Sequence, residues 1–207
     1  RFSDALGEQG VTGICGSGII EAVAGMYLAG IIQPDGVIDG GLAQQNDRIQ
    51  PDERTWSYLL HAGEPEIRIT QNDVRAIQLA KAALHAGARL LMDHMGVEKV
   101  DRIRLAGAFG SHIDVKYAMV LGMLPDCDLD QVSAADNAAS TGARIALLNG
   151  ASRRQIEKRV REVVKVETST EADFQEYFVD AMAIPHVTQP YEKLSRAITL
   201  PNNSTNK

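Results

Sequence analysis

The sequence predicts an α/β domain, a central sheet with packed helices, on three observations. A long apolar period of helical spacing runs through residues 71–95. An alternating strand pattern at residues 102–105 breaks into a glycine-rich turn. Helix-length and strand-length segments then alternate along the rest of the chain. The size and composition agree: 207 residues, 44% apolar and 23% charged, suit one large domain with a substantial core.

The elements follow in chain order. In "GICGSGIIEAVAGMYLAG", residues 13–30, Gly13, Gly16 and Gly18 form a flexible turn and Ser17 is the expected N-cap. Ile19, Ile20, Val23, Met26 and Tyr27 recur at helical spacing, Gly30 is the expected C-cap, and Pro34 blocks continuation. Residues 33–69 read as irregular, with short strands at "GVIDG" and "EIRIT".

In the helix at 71–95, Val74, Ile77, Ala80, Leu84, Ala88, Leu91 and Met95 form an apolar stripe. Arg75, Gln78, Lys81, His85 and Arg89 lie mostly opposite. Thr70 with Asp73 predicts a capping box, Gly96 ends the helix, and Gly87 inside it is expected to admit a close neighbour. The strand near 102–106 is expected to lie centrally, with the 71–95 helix on its face. Beyond it, Asp114 is read as the N-cap of a short helix that ends near Leu121 and is closed by Gly122 and Pro125. Residues 134–149 predict a helix whose small residues allow tight contact, ended by Gly150. "IEKRVREVV" predicts a charged helix, "VVKVET" a strand, and "DFQEYFVDAM" a short helix. Residues 1–200 are expected to form one unit and 201–207 a disordered tail.

Charge and cysteine content exclude several functions. A net charge of −6 argues against nucleic-acid binding, which needs clustered Lys and Arg. Cys15 and Cys127 are too few to hold an iron–sulfur cluster. No run of 18 apolar residues predicts a membrane span. The histidines show no metal-ligand spacing, and Ser17 and Ser111 have no adjacent base. No metal site is expected and no catalytic residue is assigned. His112, just past the glycine turn, is the histidine closest to a candidate site, and Asp136, like Asp114, reads as a helix N-cap ahead of a metal-holding carboxylate.

Two glycine turns remain. "GICGSG" lacks both the P-loop spacing and the third glycine of a dinucleotide fingerprint, which favours a packing role. "LAGAFG" follows a strand, where ligands bind in α/β sheets, and its small residues would let a flat base approach the backbone. A ligand-free strand-to-helix turn fits it equally well.

Four blocks in order carry a resemblance: "GICGSGIIEAVAGMYLAGII", "ITQNDVRAIQLAKAALHAGARLLM", "LAGAFGSHIDVKYAMVLGMLPD" and "DNAASTGARIALLN". Together they resemble the C-terminal part of the reductive activators of corrinoid-dependent enzymes. Those proteins join a ferredoxin-like iron–sulfur domain to an actin/Hsp70-like (ribonuclease H-like) ATPase domain. The resemblance implies an ATP-dependent parent protein that returns Co(II) corrinoid to Co(I). Its cofactors would be ATP or ADP with Mg, and a [2Fe–2S] cluster held outside this chain. Its partner would be a corrinoid protein or a cobalamin-dependent methyltransferase, in the cytoplasm, with a homodimer among the possibilities. By position, Gly107, Ala108, Phe109 and Gly110 match the adenosine-binding turn, and the helix at 136–148 matches a connecting helix near the domain hinge. The family's phosphate loops are absent, so the chain alone is expected to be inactive. Alternatives are a fragment of a related kinase or dehydratase activator, or a docking module that binds no nucleotide.

Overall fold

The computed structural model describes residues 10–107 and 109–201 and is mixed α/β. Among these residues lie five strands: β1 (Ile49–Asp52), β2 (Thr55–His61), β3 (Ile67–Thr70), β4 (Ile103–Leu105) and β5 (Val132–Ala134). The helices are α1 (Gly16–Leu28), α2 (Gln71–His94), α3 (Val115–Val120), α4 (Ala138–Leu148), α5 (Gly150–Val160), α6 (Phe174–Asp180) and α7 (Glu192–Ala197). β1, β2 and β3 form an antiparallel sheet in that order, and β4 pairs with β5 in parallel.

Local signals placed several boundaries correctly. Thr70 and Asp73 form the capping box: the Asp73 carboxylate accepts from Thr70 N at 2.8 Å, and Asp73 N donates to Thr70 Oγ1 at 3.2 Å. Asp114 Oδ1 accepts from Lys116 N at 2.8 Å and Tyr117 N at 3.3 Å, capping α3. On β4, Arg104 is exposed while Ile103 and Leu105 are half-buried, as the alternation requires.

The core joins α1 to α3. Val23, Ala24 and Tyr27 of α1 and Met119, Val120 and Leu121 at the end of α3 are fully enclosed. Ile32 and Ile38 extend this core through an isolated bridge, and Ile49 and Ile69 bring the antiparallel sheet onto it.

The structure corrects other expectations. α1 is capped by Cys15, whose Sγ accepts from Gly18 N at 3.4 Å, and not by Ser17. Residues 49–61 carry two strands because their partners are each other and β3, a pairing that local composition does not reveal. Residues 132–134 belong to β5, which shortens α4 at its start. Asn149, not Gly150, separates α4 from α5, ending one and capping the other. "VVKVET" forms no strand, and residues 192–197 form a helix the sequence did not suggest. A Cβ at Gly87 would meet nothing within 4 Å, so that glycine admits no close neighbour. α4 buries none of its residues and packs chiefly on α5, so its small side chains make no tight contact with the core. Residues 202–207, the greater part of the expected tail, lie outside the described residues.

The largest correction concerns α2. Its expected stripe is largely exposed: Leu84 by 50%, Leu91 by 52% and Met95 by 77%. Gln78, Lys81 and His85 are instead buried, at 1%, 1% and 2% exposure. The helix rests mainly on α6, β2 and β3, and not on the face of β4.

Candidate functional site

β4 and β5 run in parallel and end side by side, so both carboxyl ends open onto the same edge. This is the edge where ligands bind in α/β sheets. Two hydrogen bonds prolong the pairing: Ala135 N donates to Leu105 O, and Gly107 N to Asp136 O, each at 2.8 Å. Gly107 has φ +106° and Asp136 φ +47°, so both chains turn in left-handed conformations at the same level. Glycine adopts such angles without steric penalty, and Asp is among the side chains that tolerate them best. Ser111 stands between the two turns, its single hydroxyl proton within reach of Gly107 O at 3.3 Å and Asp136 Oδ1 at 3.5 Å. Asn137 follows Asp136 and caps the 11-residue helix α4, its Oδ1 accepting from Ser140 N at 3.0 Å. The edge therefore presents a carboxylate, a hydroxyl and the positive end of a helix beside a backbone without side chains.

The two glycines differ. A Cβ built on Gly107 meets nothing within 4 Å, so this face of the turn is open to a flat group such as a nucleobase. A Cβ on Gly110 would come within 3.0 Å of Leu105 Cβ, so Gly110 has a packing reason to be small. Phe109 and Gly110 lie in a short helical turn ending at Ser111, and Ala108 lies outside the described residues. His112 is exposed beyond the turn, and Asp114 is occupied as a cap. The residues at Gly107, Ser111 and Asp136 thus fit an adenosine moiety.

An iron–sulfur cluster does not fit this chain. Cys15 is exposed and Cys127 is fully buried, and four thiolates are the usual requirement. The Cys15 thiol is held below the ordinary value by hydrogen bonds from Ser17 and Gly18, as befits a cap. Burial pushes Cys127 up.

A second polar centre escaped sequence reasoning. Gln78, Lys81 and His85 recur at three- and four-residue steps, which places them on one face of α2. Each binds backbone carbonyls. Gln78 Nε2 donates to Asp35 O at 2.9 Å and Met182 O at 2.8 Å. Lys81 Nζ donates to the carbonyls of Ala183 and Pro185, the latter at 2.8 Å. His85 Nδ1 donates to Gly122 O at 3.1 Å, and its Nε2 lies 3.2 Å from the Gln189 side-chain amide. The His186 ring stands 4.9 Å from His85, and Tyr191 Oη donates to Leu124 O at 2.8 Å.

Burial, without a carboxylate partner among the described residues, lowers Lys81 from 10.5 to about 7. Burial lowers His186 to about 4, with His85 and Lys81 adding to the effect. His85 shifts down for the same first reason, burial, and then Lys81. His85, Arg89 and Gln189 line two adjoining clefts of about 350 and 380 Å³. The spacing of 78, 81 and 85 was visible in the sequence; the carbonyls that accept from them, 37 to 104 residues away, were not.

Comparison with known proteins gives matches of three kinds. The family model described as the C-terminal domain of RACo, the ASKHA domain, matches residues 2–195. A "Corrinoid activation enzyme RamQ" from Eubacterium limosum is 40% identical over 156 residues, covering 70% of this chain and 26% of that protein. A solved structure of a "Reductive activator for corrinoid,iron-sulfur protein" superposes with a TM-score of 0.74 at 35% identity, covering 84% of this chain and 28% of the other. The chain spans about a quarter of the length of these relatives.

Proposed function

We propose that this chain, which belongs to the family of RACo C-terminal ASKHA domains, is the nucleotide-binding end of an ATP-dependent iron–sulfur activator that returns Co(II) corrinoid to Co(I). The observation that carries the proposal is the open, left-handed turn at Gly107 on the carboxyl edge of β4 and β5. Within it, the turn from Gly107 to Gly110 receives the adenosine. Backbone at Gly107 lies against the base, while the Ser111 hydroxyl and Asp136 carboxylate offer hydrogen bonds to a ribose. Nucleotide hydrolysis would supply the free energy for an uphill electron transfer; this chain positions the nucleoside and holds no cluster. Residues 1–200 act as one portion of the ASKHA domain, and the remainder of the parent supplies phosphate loops and cluster. The partner is a corrinoid protein or a cobalamin-dependent methyltransferase in the cytoplasm. The names of both relatives, which mention a corrinoid, support a corrinoid partner.

The test uses the full-length protein that carries this chain, its Co(II) corrinoid partner and a reductant, with Co(I) followed by absorbance. ATP should accelerate Co(I) formation, and Gly107→Val should lower the ATP-dependent rate tenfold or more in protein that remains folded. A folded Gly107→Val variant with the full ATP response would overturn the adenosine assignment. No ATP response in the unaltered protein would overturn the whole reading.

A further inference from the structure

Helices α4 and α5 are the part of the chain least attached to the core. Neither buries a residue, and they pack chiefly on each other. Every Ile, Leu and Val of residues 138–164 is exposed, from 39% at Ile156 to 83% at Val164. Leu147 and Leu148, at the end of α4, are exposed by 76% and 81%. Large apolar side chains grouped in this way mark a surface that a partner covers.

Charge indicates what kind of partner. Residues 138–165 hold seven Lys and Arg against Glu157 and Glu162, a net +5 in a chain of −6, so the other residues together carry −11. Three of the seven are engaged locally: Arg159 pairs with Glu162 at 2.7 Å, Lys165 pairs with Glu167, and Arg153 donates to Ala146 O at 2.9 Å. Arg144, Arg154, Lys158 and Arg161 form no ion pair with a carboxylate among the described residues. Arg154, Lys158 and Arg161 follow at four- and three-residue steps, which sets them in one row along α5. Ile156 and Val160 form a second row, on the far side of the same helix.

We propose that the α4–α5 hairpin docks into an acidic, apolar-lined groove of the corrinoid protein partner, an identity that rests on the functional reading above. A groove satisfies both rows of α5 at once. Its apolar floor covers Ile156 and Val160, and the long Arg and Lys side chains reach carboxylates along its rim. Leu147 and Leu148 extend the same apolar contact at the corner between the two helices. A lipid surface or a nucleic acid is anionic throughout and would repel the −11 carried by the rest of the chain. A protein can confine its carboxylates to one patch, which steers the two surfaces together and fixes their orientation.

Calorimetric titration of the full-length protein that carries this chain with its Co(II) corrinoid partner tests this. Affinity should weaken as salt is added, because exposed charges are screened. Arg154→Glu, Lys158→Glu and Arg161→Glu together should lower affinity at low salt tenfold or more and leave ADP affinity unchanged, since none of the three touches the Gly107 turn. In the unaltered protein, the partner should slow amide exchange in peptides covering residues 147–165. Full partner affinity in the charge-reversed variant overturns the docking site while the functional reading stands. Equal exchange of residues 147–165 with and without the partner overturns it too, and needs no variant to fold. Binding to phosphatidylglycerol vesicles or duplex DNA that the reversal abolishes, with partner affinity unchanged, gives the hairpin a different occupant and refutes the groove. Failure of the unaltered protein to bind the corrinoid partner at all overturns the functional reading and the docking site together.

Discussion

Gly122→Ala should lower stability by about 3 kcal/mol, as much as many large core truncations, although it adds one methyl group. Gly122 follows α3 with φ +77°, where a side chain strains the backbone. A Cβ there would overlap the Pro185 carbonyl oxygen and press on its carbon. Neither neighbour is a flexible side-chain end. Pro185 O is the acceptor for Lys81, and Gly122 O is the acceptor for His85, so displacement also breaks the buried polar row. Gly87→Ala is the matching control. Gly87 lies within α2 with open space around its missing Cβ, so alanine should stabilise by about 0.5–1 kcal/mol. Denaturant unfolding of both variants checks the pair; similar small effects at the two sites would show that the 181–191 segment does not press on Gly122.

Lys81 should make the chain more stable as pH rises from 7 to 10, against the usual expectation that stability is greatest near neutrality. Its folded value, about 7, lies below the unfolded 10.5. Between these limits the unfolded chain holds a proton that the folded chain lacks, so raising pH favours folding. Below about 7 both states are protonated and the effect is flat. The neutral amine keeps two N–H donors, enough for both carbonyls, so deprotonation removes the burial penalty without losing a bond. The full span corresponds to on the order of 5 kcal/mol. Urea midpoints from pH 6 to 10 read this out, and Lys81→Met should remove the rise. An equal rise in that variant would assign the effect to other groups.

These two effects mark where the sequence stopped being legible. Thr70 with Asp73 and Asp114 with its two amides could be read because a cap is decided within four residues. Strand β4 could be read because its alternation is local. The buried face of α2 could not. Hydrophobic spacing selected Leu84, Leu91 and Met95, but burial went to Gln78, Lys81 and His85, because the carbonyls that satisfy them come from distant segments. β1 and β2 were missed for the same reason, since their stability lies in pairing. At the candidate site, the sequence identified the small residues of the 107–110 turn but treated Gly107 and Gly110 alike. Only the backbone shows that one is open and left-handed while the other is packed on Leu105. Asp136 was read as a cap ahead of a ligand; the cap of α4 is Asn137, which leaves the Asp136 carboxylate beside Ser111.

Substitution at Gly107 tests the adenosine turn only through a variant that also strains its own backbone, since φ is +106° there. Hydrogen exchange read by mass spectrometry on the unaltered full-length protein, with and without saturating ADP, avoids that difficulty. ADP seated in the Gly107 turn should slow exchange in peptides covering residues 105–112 and 135–141, the two turns at the ends of β4 and β5. ADP binding that leaves both turns unchanged, and protects instead the clefts beside His85 and Gln189, would contradict it.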